Sequence, residues 1–180
     1  MMSYQSVIDF WFDEIEPASW WRKNAEFDEL VRQRFLGVHT AANAGELSCW
    51  REQSLGCLAE ILVLDQFSRN IYRDDPRSFA SDTVALVLAQ EMVRSGRDRD
   101  IYPVMRAFVY MPFMHSESAK IHDQALLLFD QPGMESNLDF EHKHKIIIDR
   151  FGRYPHRNEI LGRHSTSDEL DFLLQPGSAF

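Results

Sequence analysis

Polar side chains occur in three short segments where a plain core helix would not need them. The first segment, residues 64–73, reads LDQFSRNIYR. On a helix, residues four positions apart lie one turn, or about 6 Å, from each other along the axis. This spacing brings together the pairs Asp65 and Arg69, Gln66 and Asn70, and Arg69 and Arg73. The segment therefore predicts either a polar site or an ordinary intrahelical salt bridge followed by a solvated helix end.

The second segment, residues 110–117, places a histidine and a carboxylate beside a proline. His115 and Glu117 are the residue types of an acid/base pair or of half a metal site. Residues two apart do not face each other on a helix, so this pair requires a non-helical turn after Pro112. In the structural alternative, Ser116 caps the next helix and Glu117 is an acid of its first turn, favoured by the helix dipole.

The third segment, residues 150–166, is a basic region in an acidic chain. Four arginines lie between positions 150 and 163, and Glu159 is the only acid among them. The glycines and Pro155 predict a loop, in which backbone N–H groups are free to bind an anion. Planar guanidinium groups bind carboxylate or phosphate through two parallel hydrogen bonds. Alternatively, these arginines bind the protein's own acids, of which the sequence has 28.

Together the three segments predict a cleft that binds a small anionic molecule or an acidic peptide terminus. The residues expected to bind the ligand are Asp65, Gln66, Arg69, Asn70, Arg73, Arg150, Arg153, Arg157, Asn158 and Arg163. The alternative is a hydrolase or transferase that acts on a phosphorylated or carboxylated metabolite. In that enzyme His115 or His156 is the general base, and Glu117 or Asp65 orients it. A third possibility is a protein-interaction scaffold in which the polar motifs are purely structural.

The composition excludes several classes of protein. With 180 residues, 44% of them hydrophobic and 26% charged, the chain has the size and core-forming content of one globular domain, residues 1–180. The formal net charge of -9 disfavours nucleic acid and anionic membranes as partners. Two cysteines are too few for a disulfide framework or a structural zinc site, and no nucleotide-binding motif is present. We therefore predict no metal and no cofactor.

The cellular location is also an expectation from the sequence. The first residues lack the positively charged region of a signal peptide. The most apolar stretch, 107–114, is far shorter than the roughly 18 residues of a membrane span. We therefore expect a cytoplasmic protein.

The elements that must position these segments are helices. Apolar residues recur at spacings of three and four, and no stretch shows the alternation typical of a strand. The predicted helices run from the cap Asn24 to Gly45, from Ser54 to Arg69, from Ser78 to Gly96, from Tyr102 to Met111, from the cap Ser116 through Phe129, and from Asn137 to Gly152. Pro112 is expected to kink or end the fourth of these, and residues 97–100 (RDRD) to form a solvated linker.

A short C-terminal helix completes the predicted fold. It begins with the capping box of Thr166 and Glu169, in which each side chain binds a free backbone N–H. The resulting fold class is all-α: one domain of about seven or eight antiparallel helices, without a sequence repeat.

The motifs together resemble one known family. The segments concerned are Phe10 to Phe12, Leu64 to Asn70, Pro112 to Glu117, Phe151 to Asn158 and Leu161 to Arg163. In this order they resemble the bacterial domain-of-unknown-function family numbered nine hundred and twenty-four, over nearly the whole chain and without a departure at the motif positions. The resemblance implies a fold of the tetratricopeptide-like helical superfamily, and it implies no activity.

Overall fold

Nine α-helices follow one another along residues 2–178, the part of the chain that this computed structural model describes. They are α1 (Tyr4–Asp9), α2 (Ala25–Asn43), α3 (Ser54–Leu62), α4 (Ser68–Ile71), α5 (Asp82–Arg94), α6 (Pro103–Met114), α7 (Ala119–Phe129), α8 (Glu135–Phe151) and α9 (Ser167–Leu173). Short 3-10 and π-helical turns join several of them, and the described residues contain no strand. The all-α prediction is confirmed.

Helix α2 begins where the sequence predicts. The side-chain oxygen of Asn24 accepts hydrogen bonds from the backbone N–H groups of Glu26 and Phe27, at 2.9 and 3.1 Å. These bonds satisfy two of the N–H groups that the first turn of a helix leaves without partners. On the apolar face of this helix Val31 and Phe35 are fully buried, whereas Phe27 is partly buried.

Helices α3 and α4 form one continuous rod because a π-helical turn, Val63–Phe67, joins them. A π-helical turn holds one more residue than an α-helical turn, and such turns are frequent at functional sites. All five residues of this turn are buried. The turn carries Asp65 into the protein interior.

The start of α5 differs from the prediction. The helix begins at Asp82 rather than at Ser78, which lies in the 3-10 turn Pro76–Phe79. The Ser78 hydroxyl donates to the carbonyl of Asp75 at 2.7 Å, so it serves this turn and not the helix.

Helix α6 also differs, because it continues through Pro112 to Met114. Every residue from Ala107 to Met114 is buried. Packing around the last turn of the helix therefore outweighs the hydrogen bond that Pro112 cannot donate.

The next helix starts later than predicted. Helix α7 begins at Ala119 with Ser118 in the cap position, so the assignment of Ser116 as its cap is wrong. Residues 116–118 are non-helical because contacts from distant parts of the chain hold them, as described below.

Residues 97–100 are not a solvated linker. They form a 3-10 turn in which Asp98 is buried and accepts a hydrogen bond of 2.6 Å from the Tyr110 hydroxyl. Helix α8 begins two residues before the predicted Asn137 and ends at Gly152, whose φ of 69° is the left-handed conformation expected after a helix.

The capping box of α9 is present. Thr166 Oγ1 accepts from the Glu169 N–H at 3.2 Å, and the Glu169 carboxylate accepts from the Thr166 N–H at 2.7 Å.

The main hydrophobic core contains buried side chains from every helix from α1 to α7. Its largest buried side chains include Trp11, Phe35, Phe67 and Phe108. A smaller cluster of Ile147, Ile148 and Tyr154 joins α8 to the segment that follows it. None of the described helices is long and apolar enough to cross a membrane.

Candidate functional site

The centre of the candidate site is a hydrogen bond between two of the predicted segments. Nδ1 of His115, at the end of α6, lies 2.7 Å from Oδ1 of Asp65 in the π-helical turn. The Asp65 carboxylate is fully buried, and the His115 ring is mostly buried. Gln66 Nε2 donates to the other oxygen of Asp65 at 2.6 Å.

The charges around the pair define its protonation state. Burial alone would raise the pKa of Asp65, but Arg69 and the hydrogen bonds from His115 and Gln66 hold this pKa far below its usual range. Burial lowers the pKa of His115, and Arg69 lowers it further against the opposing effect of Asp65. A carboxylate only accepts hydrogen bonds, so Nδ1 of the neutral ring carries the proton. Nε2 therefore has its lone pair available.

Two arginines and a second carboxylate lie behind this pair. Arg69 donates to both oxygens of Asp82 at 3.0 Å, to the Asp65 carbonyl at 2.6 Å, and lies 3.2 Å from the Asp65 carboxylate. Arg157 approaches the same Asp82 less closely, with Nη1 at 3.4 Å. The predicted one-turn pairing of Asp65 with Arg69 is thus present, and Asp82 is the residue that joins Arg69 to Arg157.

Arg157 is a buried cation with few hydrogen bonds. Only 6% of its surface is exposed, and its guanidinium lies 4.6 Å from the ring centres of both Phe79 and Tyr154. Its buried Nε has no hydrogen-bond partner among the described residues, and Nη2 donates to none of them either. Burial lowers the pKa of Arg157, and Arg69 lowers it further.

A cavity of about 320 Å³ is lined by His115, Asp82 and Arg157. Asp65, Gln66 and Arg69, which the sequence also predicts to bind the ligand, are not part of its lining. Its polar lining consists of Asp82, Thr83, His115, Ser116, Glu117 and Arg157. Its apolar lining consists of Pro76, Phe79, Ala80, Leu86, Pro112 and Leu161. Nε2 of His115 makes no hydrogen bond with a described residue, so a ligand in the cavity can approach it.

The loop that carries His115 is held by residues from the C-terminal half. The Tyr154 hydroxyl donates to the carbonyl of Met114 at 2.5 Å, and His122 Nε2 lies 2.8 Å from the carbonyl of Ser116. These two carbonyls flank His115 on either side. Tyr154 and His122 thus fix the backbone at the position of the candidate base.

His122 is in turn bound to Glu141, and both side chains are fully buried. Nε2 of His122 faces the Ser116 carbonyl, which only accepts, so Nε2 carries a proton. Nδ1 lies 2.6 Å from Oε1 of Glu141, and one further proton must occupy this gap. Burial raises the pKa of Glu141, which favours the protonated carboxyl beside a neutral ring.

Glu117 is occupied by an arginine and a backbone group. Arg163 donates to both of its oxygens, at 2.6 and 2.9 Å, and the Tyr154 N–H donates to Oε1 at 2.8 Å. Burial would raise the pKa of Glu117, but these hydrogen bonds outweigh it and lower the pKa. The prediction that Glu117 is an acid of the first turn of α7 is wrong. It fixes the C-terminal segment to the His115 loop.

Several predicted residues lie away from the cavity lining. Asn70 and Arg73 both bind Asp28 of α2, so Gln66 with Asn70 and Arg69 with Arg73 do not act as pairs. Arg153 binds both oxygens of Glu169, at 2.6 and 2.7 Å. The expectation that Arg73 and Arg153 line one cleft with Arg157 is therefore wrong.

The remaining arginine-segment residues also have structural roles. Arg150 lies on the surface with its guanidinium 4.6 Å from the Phe151 ring. Asn158 is buried, donates to Ser165 at 3.0 Å and accepts from Arg163 at 2.9 Å. Most of the basic region thus neutralises the protein's own acids, as the structural alternative predicts.

His156 lines a different cavity, of about 510 Å³, together with Glu159, Arg163 and His164. Burial lowers the pKa of His156 to about 4, with a further lowering from Arg157. Of the two histidines proposed as a base, His115 has a buried carboxylate, Asp65, 2.7 Å from its ring.

Sequence reasoning missed four residues of this site: Asp82, His122, Glu141 and Tyr154. Asp82 begins a helix that the sequence predicts to start at Ser78, and an acid in the first turn is otherwise explained by the helix dipole. His122 and Glu141 are 19 positions apart on different helices, so no spacing rule relates them. Tyr154 lies within the motif segment Phe151 to Asn158, and this position is the one feature of the sequence that points to a role for it.

Comparisons with known proteins agree with this fold. A model of the family described as "Bacterial protein of unknown function (DUF924)" matches residues 7–177. The chain belongs to this family. The resemblance inferred from the motifs is thereby confirmed.

A solved structure shows the same fold. It is the structure of a protein of unknown function from Agrobacterium tumefaciens, whose sequence is 37% identical to this chain. The two structures superpose with a TM-score of 0.90, and the match covers 95% of this chain and 96% of the Agrobacterium protein. A comparison with curated proteins found no match. The family and this relative are described as being of unknown function, so the chemistry must be argued from the site itself.

Proposed function

We propose that this protein is an enzyme, a hydrolase or a transferase, in which His115 transfers a proton to or from a small metabolite. One observation carries the proposal. Nδ1 of His115 lies 2.7 Å from the buried carboxylate of Asp65, while the same ring lines a cavity. A general base must be held in one tautomer and within hydrogen-bond reach of its substrate. The bond to Asp65 supports the first requirement, and the position of His115 in the cavity lining supports the second.

The roles of the two residues follow from their protonation states. Neutral His115 presents its Nε2 lone pair as the base. Asp65 keeps the proton on Nδ1, orients the ring, and stabilises the imidazolium that forms when Nε2 accepts a proton. Proton transfer of this kind contributes a factor of about 10² to 10⁴ to a reaction rate.

The cavity restricts the size and charge of the substrate. Its volume of about 320 Å³ is at the small end of ligand sites, which begin at roughly 300 Å³. Arg157 supplies a positive charge for a carboxylate or phosphate on the substrate, and for negative charge that develops during the reaction. The substrate is thus a small carboxylated or phosphorylated metabolite.

The test compares His115→Asn and Asp65→Asn with the wild type on chromogenic esters, amides and phosphate esters. His142→Asn is the matched control, because His142 is exposed on α8 away from the cavity. We expect turnover by the wild type and by the control. We expect a loss of about 100-fold or more in His115→Asn, the lower limit of general acid–base catalysis. Equal turnover by His115→Asn and the wild type would refute the proposal.

A binding protein without catalysis is the second candidate. The observation that favours it is the buried guanidinium of Arg157, whose Nε has no partner among the described residues. A ligand carboxylate or an acidic peptide terminus would supply the missing acceptor. Ligand binding without turnover of any substrate in the panel would support this candidate over the enzyme.

A further inference from the structure

We infer that the group bound at Arg157 is a singly charged carboxylate on an apolar body, rather than a doubly charged phosphate. This inference rests on the proposed function and specifies its substrate. It also implies that binding of this carboxylate activates His115 by raising its affinity for a proton.

The first observation is that Arg157 differs from the other arginines nearby. Arg69, Arg153 and Arg163 each hold both oxygens of a carboxylate, at 2.6 to 3.0 Å. Arg157 has only a 3.4 Å contact to Asp82. A buried donor without an acceptor costs about 1 to 3 kcal/mol. A ligand that provides an acceptor for Arg157 would remove this cost, and so its binding is favoured.

The second observation is the charge balance of the site. Arg69 and Arg157 carry two positive charges, while Asp65 and Asp82 carry two negative charges. Glu117 is balanced by Arg163. The site is thus neutral before a ligand enters, and its groups are largely shielded from water. An added anion therefore needs a new positive charge close to it.

The cavity lining offers one group that can supply this charge. His115 is neutral in the empty cavity and can accept one proton at Nε2. That proton compensates one negative charge, so a carboxylate leaves the site neutral. A phosphate dianion leaves it with an uncompensated negative charge.

The shape of the cavity agrees with a carboxylate on an apolar body. The rings of Phe79 and Tyr154 lie against Arg157, each 4.6 Å away, so the planar edge of the guanidinium is the part left for hydrogen bonds. A carboxylate matches such an edge with two parallel bonds. Leu86 and Leu161 provide apolar walls for the rest of the molecule.

Coupling between the ligand and His115 follows from the surrounding charges. Asp65 of the π-helical turn and Asp82 of α5 raise the pKa of His115, whereas burial and Arg69 of α4 lower it below its usual value. A carboxylate in the cavity is one more negative charge near the ring, so it raises the pKa of His115 back towards its usual value. A group that gives or takes a proton works best when its pKa lies near the working pH. The ring that has taken up this proton is an imidazolium, so binding of the correct substrate makes His115 available as a general acid, while the neutral ring remains a base.

The experiment measures binding of three probes of similar size by isothermal titration calorimetry: benzoate, phenyl phosphate and benzamide. The measurements are made well above the second phosphate pKa of about 6, so that phenyl phosphate is a dianion. We expect benzoate to bind at least about 10-fold more tightly than phenyl phosphate, which is a difference of about 1.4 kcal/mol. Benzamide, which is uncharged, should not bind measurably.

Two variants locate the binding. Arg157→Met should weaken benzoate binding at least about 10-fold, corresponding to about 1.4 kcal/mol. The control Arg150→Met removes an exposed arginine of the same segment and should leave the affinity unchanged. Because Arg157 is buried, its variant could unfold. A titration of the wild type by NMR is therefore included, and benzoate should shift the ring signals of His115 and not those of exposed His142.

Proton uptake is measured by repeating the benzoate titration in two buffers with different heats of ionisation. The wild type should take up a fraction of a proton on binding, and His115→Asn should take up none. Tighter binding of phenyl phosphate than of benzoate, unchanged binding by folded Arg157→Met, or no binding of any probe would each overturn the inference.

These measurements also separate this inference from the proposed function. Benzoate binding with no turnover of any ester, amide or phosphate ester would retain the carboxylate site and refute catalysis. Turnover of uncharged esters that depends on His115 and not on Arg157 would retain catalysis and refute the carboxylate site.

Discussion

Glu141 offers a direct test of how the His115 loop is held. Its Oε1 lies 2.6 Å from Nδ1 of His122, and both side chains are fully buried. The proton count at His122 requires one proton between the two groups. If the carboxyl of Glu141 holds it, an amide can replace the carboxyl, because its NH₂ group also donates to Nδ1.

Two substitutions of similar volume separate the hydrogen bond from simple packing. Glu141→Leu removes the donor and leaves Nδ1 buried without a partner. Leaving a neutral buried acceptor without its donor costs about 1 to 3 kcal/mol. Glu141→Gln retains the donor and should cost less than about 1 kcal/mol, within the range of a single hydrogen bond.

The assay is thermal and urea-induced unfolding of the wild type and the two variants. For a chain of this size each kcal/mol lowers the melting temperature by about 2 to 4 °C, so Glu141→Leu should melt about 2 to 12 °C below the wild type. Glu141→Gln should melt within a few degrees of it. If both variants lose the same stability, the negative charge of Glu141 holds the pair and the assignment of the proton is wrong.

Two further predictions concern stability. In Gly56→Ala the new Cβ would lie 2.0 Å from the carbonyl oxygen of Trp50, whereas in Gly37→Ala it meets nothing within 4 Å. Urea unfolding should therefore show a loss of several kcal/mol for Gly56→Ala and a gain of about 0.5 to 1 kcal/mol for Gly37→Ala, and equal effects would contradict the packing of α3. Burial lowers the pKa of His144 to about 3 and that of His156 to about 4. Below about pH 6.5 the unfolded chain therefore binds protons at these histidines that the folded chain does not bind. The free energy of unfolding should fall from about pH 6.5 towards pH 4, by up to about 1.4 kcal/mol per pH unit for each histidine, and His144→Gln should show a shallower decline. An unchanged slope in that variant would show that His144 is not buried in its neutral form.

The helical class and many of the element boundaries follow from short-range patterns in the sequence. Asn24 begins α2, Gly152 ends α8, and Thr166 with Glu169 caps α9, because each of these signals acts on backbone groups within a few residues of itself. The segments that contain Asp65 and His115 are likewise identified by residue types within a few positions of each other.

Which side chains meet depends on the folded chain. Arg73 and Arg153 are of the same type as Arg157, yet they bind Asp28 and Glu169, and only Arg157 is left with a partly filled set of hydrogen bonds. A guanidinium group pairs with the carboxylate that the fold places next to it. The spacing of arginines and acids along the sequence does not predict which carboxylate this is.

Packing also overrode two local signals. Helix α6 runs through Pro112 because its last turn is buried on all sides, and α7 starts only after the loop held by Tyr154 and His122. A helix cap or the intrinsic preference of one residue changes the free energy of folding by about 1 kcal/mol. Burial of the apolar side chains of a whole helix turn changes it by several times as much. Secondary structure therefore follows from short-range preferences in most of this chain, and the site follows from long-range contacts that only the folded state contains.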